Sequence, residues 1–186
     1  MRLVATRAVG YQEHASEYGE HWNFFLTLAA VALLTSLFRI PSRAKLPLGA
    51  ALLIAHQTAL SWGGLSAIVH SEARGPGILS RNKEGLLSIP GYWALHLLSA
   101  GIGDLLQSSV AVAASAAFMP SVAGEGRCQV SLRPLYSWAI QWGFAAVALN
   151  ALTTRVARAV EPVSRRACNA AYVCWMLGFN LQVLAH

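Results

Sequence analysis

The sequence predicts an all-α fold, a polytopic transmembrane helix bundle of about five spans in a single membrane domain covering residues 1–186. Three observations carry this reading. Of the 186 residues, 55% are hydrophobic and only 12% are charged, against about 25% charged in a soluble domain. Apolar runs long enough to cross a bilayer recur along the chain, more than a soluble fold of this size hides. The basic residues sit in short clusters between those runs rather than as a stripe on a helix. The clusters are Arg39, Arg43 and Lys45; Arg74, Arg81 and Lys83; and Arg155, Arg158, Arg165 and Arg166. Loop-borne charge of this kind reports membrane topology, so the net charge of +6 does not point to nucleic acid as a partner.

The first span is expected over Trp22–Ile40. Its core, NFFLTLAAVALLTSLF, has no charge, and about 19 residues at 1.5 Å each cover roughly 28 Å, the hydrocarbon thickness. The second span is expected from Leu46 to Val69 and carries His56 and Gln57 near its middle, where polar groups face other helices or a cavity. Gly63 and Gly64 allow close packing or a kink. A polar loop, HSEARGPGILSRNKEG, follows from His70 to Gly85. Its turn signal is Gly75-Pro76-Gly77, and Arg81–Glu84 form a charged tip. The third span is expected from Leu86 to Gln107, with Pro90 in its first turn and His96 and Asp104 as its ionisable groups. Ser108–Pro120 is Ala-rich and too short to span; it either extends the third helix or re-enters the membrane. The fourth span is expected over Pro134–Thr154 and the fifth from Ala167 to His186.

Arginine and lysine counts give an orientation. The N-terminal tail, the loop after the second span and the loop after the fourth hold nine, and the opposite side holds five. The excess puts the first group in the cytosol. The three cysteines, Cys128, Cys168 and Cys174, form no metal-type pair, and the latter two read as small buried hydrophobes.

The densest polar cluster is Tyr11–Phe25, YQEHASEYGEHWNFF, pressed against the first span. If it is helical as far as His21, then His14, Glu17 and His21 share a face. Three readings compete. Those residues have the right ligand types for zinc or iron, but their spacing matches no strong metal motif. Alternatively, His14 or His21 is a general base oriented by Glu17, since histidine titrates near neutrality. The third reading is an amphipathic segment whose charges sit among lipid headgroups.

The same stretch, with SRNKEGLLSIPGYWALHL and SRRACNAAYVCWMLGFNL, closely resembles the PIG-W family, also called the GPI-anchored wall transfer protein family. The three motifs occur in family order from Tyr11 to Leu181. The resemblance implies a multi-pass endoplasmic-reticulum membrane enzyme. Such an enzyme moves an acyl chain from acyl-CoA, the co-substrate, to the inositol of glucosaminyl-phosphatidylinositol, within GPI-anchor biosynthesis. It implies an O-acyltransferase with no metal, whose partners are those two substrates and membrane lipid. His14, Glu17 and His21 are then the catalytic candidates. Tyr18, Trp22, Asn23, Arg81, Asn82, Lys83 and Glu84 border the substrate, with Arg81 or Lys83 suited to a phosphate. Arg165 and Arg166 match the family's SRR element. Family members are far longer, so the chain is expected to correspond to their C-terminal portion. The alternative is a non-catalytic structural or regulatory helix module that lacks the N-terminal half of the site.

Overall fold

The computed structural model describes residues 18–117 and 132–185. Every element in those residues is an α-helix: α1 (Phe24–Phe38), α2 (Ser42–Ser61), α3 (Leu65–His70), α4 (Ile78–Arg81), α5 (Lys83–Ala117), α6 (Arg133–Ala159) and α7 (Ala170–Ala185). The all-α expectation holds. The Ala-rich stretch after Gln107 continues α5 to Ala117, because nothing in it opposes helix.

At 35 residues, α5 is about 52 Å long. Among the described residues it is the one helix long and apolar enough to cross a membrane by that measure, while Phe24–Phe38 and Ala170–Leu184 are apolar but shorter. The bundle is organised on α5. The helices α1, α2 and α3 pack along it, and α6 and α7, packed closely on each other, lean against it.

Local chemistry sets the ends of these elements. The Asn23 side chain caps α1 by accepting the Leu26 N–H at 3.0 Å, which satisfies a donor the helix cannot. The expected second span is interrupted: α2 stops at Ser61, and the chain turns through Trp62–Gly64 before α3. Asn169 is buried just before α7. Its Oδ1 accepts the N–H of Tyr172 at 3.0 Å and of Ser164 at 3.1 Å, and its Nδ2 donates to the Pro162 carbonyl at 2.7 Å. This one side chain folds the connection between α6 and α7 back on itself. Asp104, an ionisable candidate from the sequence, is taken up by a helix tie, with Lys45 Nζ 2.7 Å from its Oδ2.

The largest core cluster joins Tyr18, Val31, Tyr92, Cys168, Tyr172, Val173 and Leu177. It lies where the start of the described chain, the front half of α5 and the start of α7 meet. The outer surfaces are apolar, with Phe25, Leu33, Leu37 and Phe144 all exposed. The helices α2 and α6 do not pack directly on each other. A cavity of about 620 Å³ lies between them, lined by Leu53, Ile54, Leu152 and Val156, with Gln57 and Cys174 at its margin.

Candidate functional site

The segment Tyr18–Asn23 is not helical. It passes beside the entry to α5 in a turn and two bends, bonded there by backbone. The N–H of Glu20 donates to the Arg81 carbonyl at 3.1 Å, and the N–H of Gly85 donates to the Tyr18 carbonyl at 2.8 Å. Between these, the Asn82 Oδ1 accepts the His21 backbone N–H at 2.8 Å. Gly19, at φ +135°, sits in this pairing with no room for a Cβ against Asn82, a conformation that favours glycine over any helix-forming residue. The helical face expected for His14, Glu17 and His21 therefore does not extend through the described end of the stretch. His14 and Glu17 themselves lie outside the described residues.

The pairing joins the two motifs that the sequence left 60 residues apart. Gly85 makes the contact possible, since any side chain there would overlap the Trp22 indole. That indole is held in turn by its Nε1, which donates to the buried Thr27 hydroxyl at 2.9 Å. The His21 Nε2 lies 4.0 Å from Glu20 Oε2, and Arg81 Nη1 lies 3.6 Å from the same oxygen. Among the described residues, the carboxylate beside the His21 ring is thus Glu20.

Glu84 sits beneath this surface with 0% exposure. Arg74 Nη2 is 2.9 Å from its Oε1, and Arg74 Nη1 donates to its Oε2 at 3.5 Å. Arg166 Nη2 is 3.9 Å from the same Oε1. A carboxylate without water needs such partners, because an unpaired buried charge is prohibitive. Lys83 is also buried, with Nζ donating to the Ala73 carbonyl at 2.9 Å. Asn82 has both ends of its amide in use, since Nδ2 donates to the Ile78 carbonyl at 2.9 Å. So Asn82, Lys83 and Glu84 hold the loop together from inside, while Arg81 and His21 are more open. Asn23 is exposed and serves as the α1 cap.

A third element closes the site. Arg165 Nε donates to the Tyr18 hydroxyl at 2.9 Å, and the Tyr92 hydroxyl donates to the Arg165 carbonyl at 3.1 Å. Sequence reasoning missed Arg74 and Tyr92. Arg74 looked like a topology charge, and Tyr92, next to Trp93, looked like an interfacial aromatic. Three guanidiniums meet the carboxylates of this site, Arg74 and Arg166 at Glu84 and Arg81 at Glu20, while Lys83 and Arg165 are spent on the Ala73 carbonyl and the Tyr18 hydroxyl. Arg81, partly exposed at the rim, offers a guanidinium that suits an anionic group. No cluster of metal-ligating side chains occurs among the described residues.

The GWT1 family model matches residues 1–186. An uncharacterized Arabidopsis thaliana protein is 39% identical over 184 residues, covering 99% of this chain and 38% of that protein. The GPI-anchored wall transfer protein 1 of Aspergillus fumigatus is 35% identical over 188 residues, covering 97% of this chain and 35% of that protein. The mouse glucosaminyl-phosphatidylinositol-acyltransferase PIGW is 32% identical over 193 residues, covering 99% of this chain and 34% of that protein. The chain thus spans somewhat over a third of the length of these curated relatives. No solved structure matches it.

Proposed function

The chain belongs to the GWT1 family, and we propose that it acts in GPI-anchor biosynthesis as an acyl-CoA-dependent acyltransferase on the inositol of glucosaminyl-phosphatidylinositol. The names of its relatives support the substrate and the transfer. One observation in this chain carries the site: the His21 segment is bonded directly to the Arg81–Gly85 turn.

The reaction moves an acyl group from a thioester to a secondary hydroxyl. His21 accepts the proton of the inositol hydroxyl as that oxygen attacks the thioester carbonyl. The C–S bond then breaks, and the thiolate leaves and takes up the proton. Glu20, 4.0 Å from the ring, stabilises the imidazolium formed in between, the role a carboxylate plays beside any catalytic histidine. Arg81, partly exposed at the rim, pairs with the lipid phosphate, which its planar fork fits. Asn82 sets the position of His21 by holding its backbone. The apolar cavity lined by Leu53, Ile54, Leu152 and Val156 suits an acyl chain. The apolar outer faces of α1 and α6 suit lipid, in keeping with a multi-pass location in the endoplasmic-reticulum membrane.

The test is transfer of a labelled acyl group from acyl-CoA to glucosaminyl-phosphatidylinositol in membranes containing the chain. Arg81→Ala is expected to raise the KM for the glycolipid about tenfold or more and to change kcat less. An unchanged KM removes Arg81 from the phosphate. Absence of product from the wild-type chain favours the alternative of a non-catalytic helix module.

A further inference from the structure

We propose that Tyr92 and Arg165 are positioning residues of this site, acting through a closed ring of hydrogen bonds that runs through Tyr18. Three contacts define the ring. Arg165 Nε donates to the Tyr18 oxygen at 2.9 Å, the Tyr18 and Tyr92 oxygens are 3.3 Å apart, and the Tyr92 hydroxyl donates to the Arg165 carbonyl at 3.1 Å.

The direction of every proton follows from the chemistry of the groups. A carbonyl only accepts, so the single proton of Tyr92 is committed to Arg165. Tyr18 therefore supplies the proton between the two phenols, and its oxygen accepts from the guanidinium. The ring starts and ends on Arg165. Its members come from three places in the sequence: the non-helical segment before α1, the front half of α5, and the connection before α7.

Packing alone does not ask for these hydroxyls. Tyr18 and Tyr92 are 5% and 6% exposed, and Phe24 lies 5.7 Å and 5.5 Å from their ring centroids, so phenylalanines would fill the same space. A buried hydroxyl is costly unless bonded, and here the two satisfy each other and Arg165. The Arg165 guanidinium also lies 5.7 Å from the Tyr18 ring centroid, within cation–π range. Tyr18 is thus fixed at both ends, with its hydroxyl in the ring and its carbonyl on the Gly85 N–H at 2.8 Å. His21 is three residues further on and inherits that position. Arg166, next to Arg165, is carried to Glu84 by the same connection.

The proposal rests on the acyl-transfer reading only for its kinetic arm. The experiment uses the whole chain in nanodiscs as wild type, Tyr92→Phe, Tyr18→Phe and the double variant. Hydrogen exchange is read at the His21 and Gly85 amides, with the buried Ala113 and Ala117 at the far end of α5 as internal controls. Tyr92→Phe is expected to speed exchange at His21 and Gly85 about tenfold and to leave those control amides unchanged. The double variant is expected to go no further than the larger single effect, because either change opens the same ring. In the acyl-transfer assay, kcat normalised to the folded fraction that the control amides report is expected to fall about tenfold with the KM for the acyl donor unchanged; loss of folded protein alone also lowers the apparent kcat at unchanged KM, and that loss disappears on normalisation.

Unchanged exchange at His21 and Gly85, or single effects that multiply in the double variant, overturns the ring. An unchanged kcat overturns the positioning role. If Tyr92→Phe does not fold, Tyr18→Phe alone carries the same comparison. If the wild-type chain makes no product, the acyl-transfer reading fails while the exchange data still decide the ring.

Discussion

Replacing Glu84 by alanine exposes how the site is held. The carboxylate has no contact with solvent. It takes both terminal nitrogens of Arg74, at 2.9 Å and 3.5 Å, and lies 3.9 Å from Arg166. Its removal leaves the mostly buried Arg74 guanidinium with the Arg81 carbonyl as its remaining partner, and leaves Arg166 without this counter-charge. Breaking a buried pair from one side costs about 3–5 kcal/mol, a large share of the roughly 5–15 kcal/mol that holds a typical domain together. Glu84→Gln keeps the shape and one acceptor and loses the charge, so its cost is expected nearer 1.5–3 kcal/mol, the range for a hydrogen bond to a charged group. Denaturation in detergent, followed by the fluorescence of the six tryptophans, measures both. Removing both close partners, as Glu84→Leu with Arg74→Met, is expected to cost less than Glu84→Ala alone, because the mostly buried Arg74 charge is then no longer orphaned and only the more exposed Arg166 loses its counter-charge. A Glu84→Ala chain within about 0.5 kcal/mol of wild type, the scatter of ordinary surface substitutions, would refute the reasoning.

Two further substitutions probe the pairing of the motifs. Asn82→Ala removes the acceptor of the His21 N–H and the donor to the Ile78 carbonyl. It is expected to cost about 1–3 kcal/mol and to lower acyl transfer more than it lowers stability; equal loss of both would reduce Asn82 to a fold residue. Gly85→Ala drives a methyl into the Trp22 indole, an overpacking expected to cost about 1–3 kcal/mol. Its signature is a shift in Trp22 emission, and no shift would mean that the ring has room to move.

The fold class was legible because apolar runs of bilayer length have few other solutions. Gln107 onward was legible only as a pair of options, and the absence of any breaker before Ala117 decided between them. The five-span reading is finer than the helices themselves: α2 ends at Ser61, and α1 and α7 are short. At the site, both motifs were visible, and their direct contact was not. The helical reading of the opening stretch failed where Gly19 turns the backbone toward Asn82. Lys83 and Glu84 stood in the sequence as part of a charged tip, and their burial was hidden because their partners, the Ala73 carbonyl and the Arg74 guanidinium, sit ten residues earlier across a turn. A one-dimensional pattern does not reveal such compensation. The role of Tyr92 depends on residues 73 and 74 positions away, a separation over which sequence periodicity carries no signal.

The most direct test is complementation. The 186-residue chain and its His21→Ala form are expressed in cells lacking the inositol acyltransferase, and GPI precursors are assayed by mass spectrometry. The account predicts inositol-acylated precursor with the wild-type chain and none with His21→Ala at equal expression. Equal product from both would contradict a catalytic His21, and no product from either would contradict the claim that this chain carries the transfer.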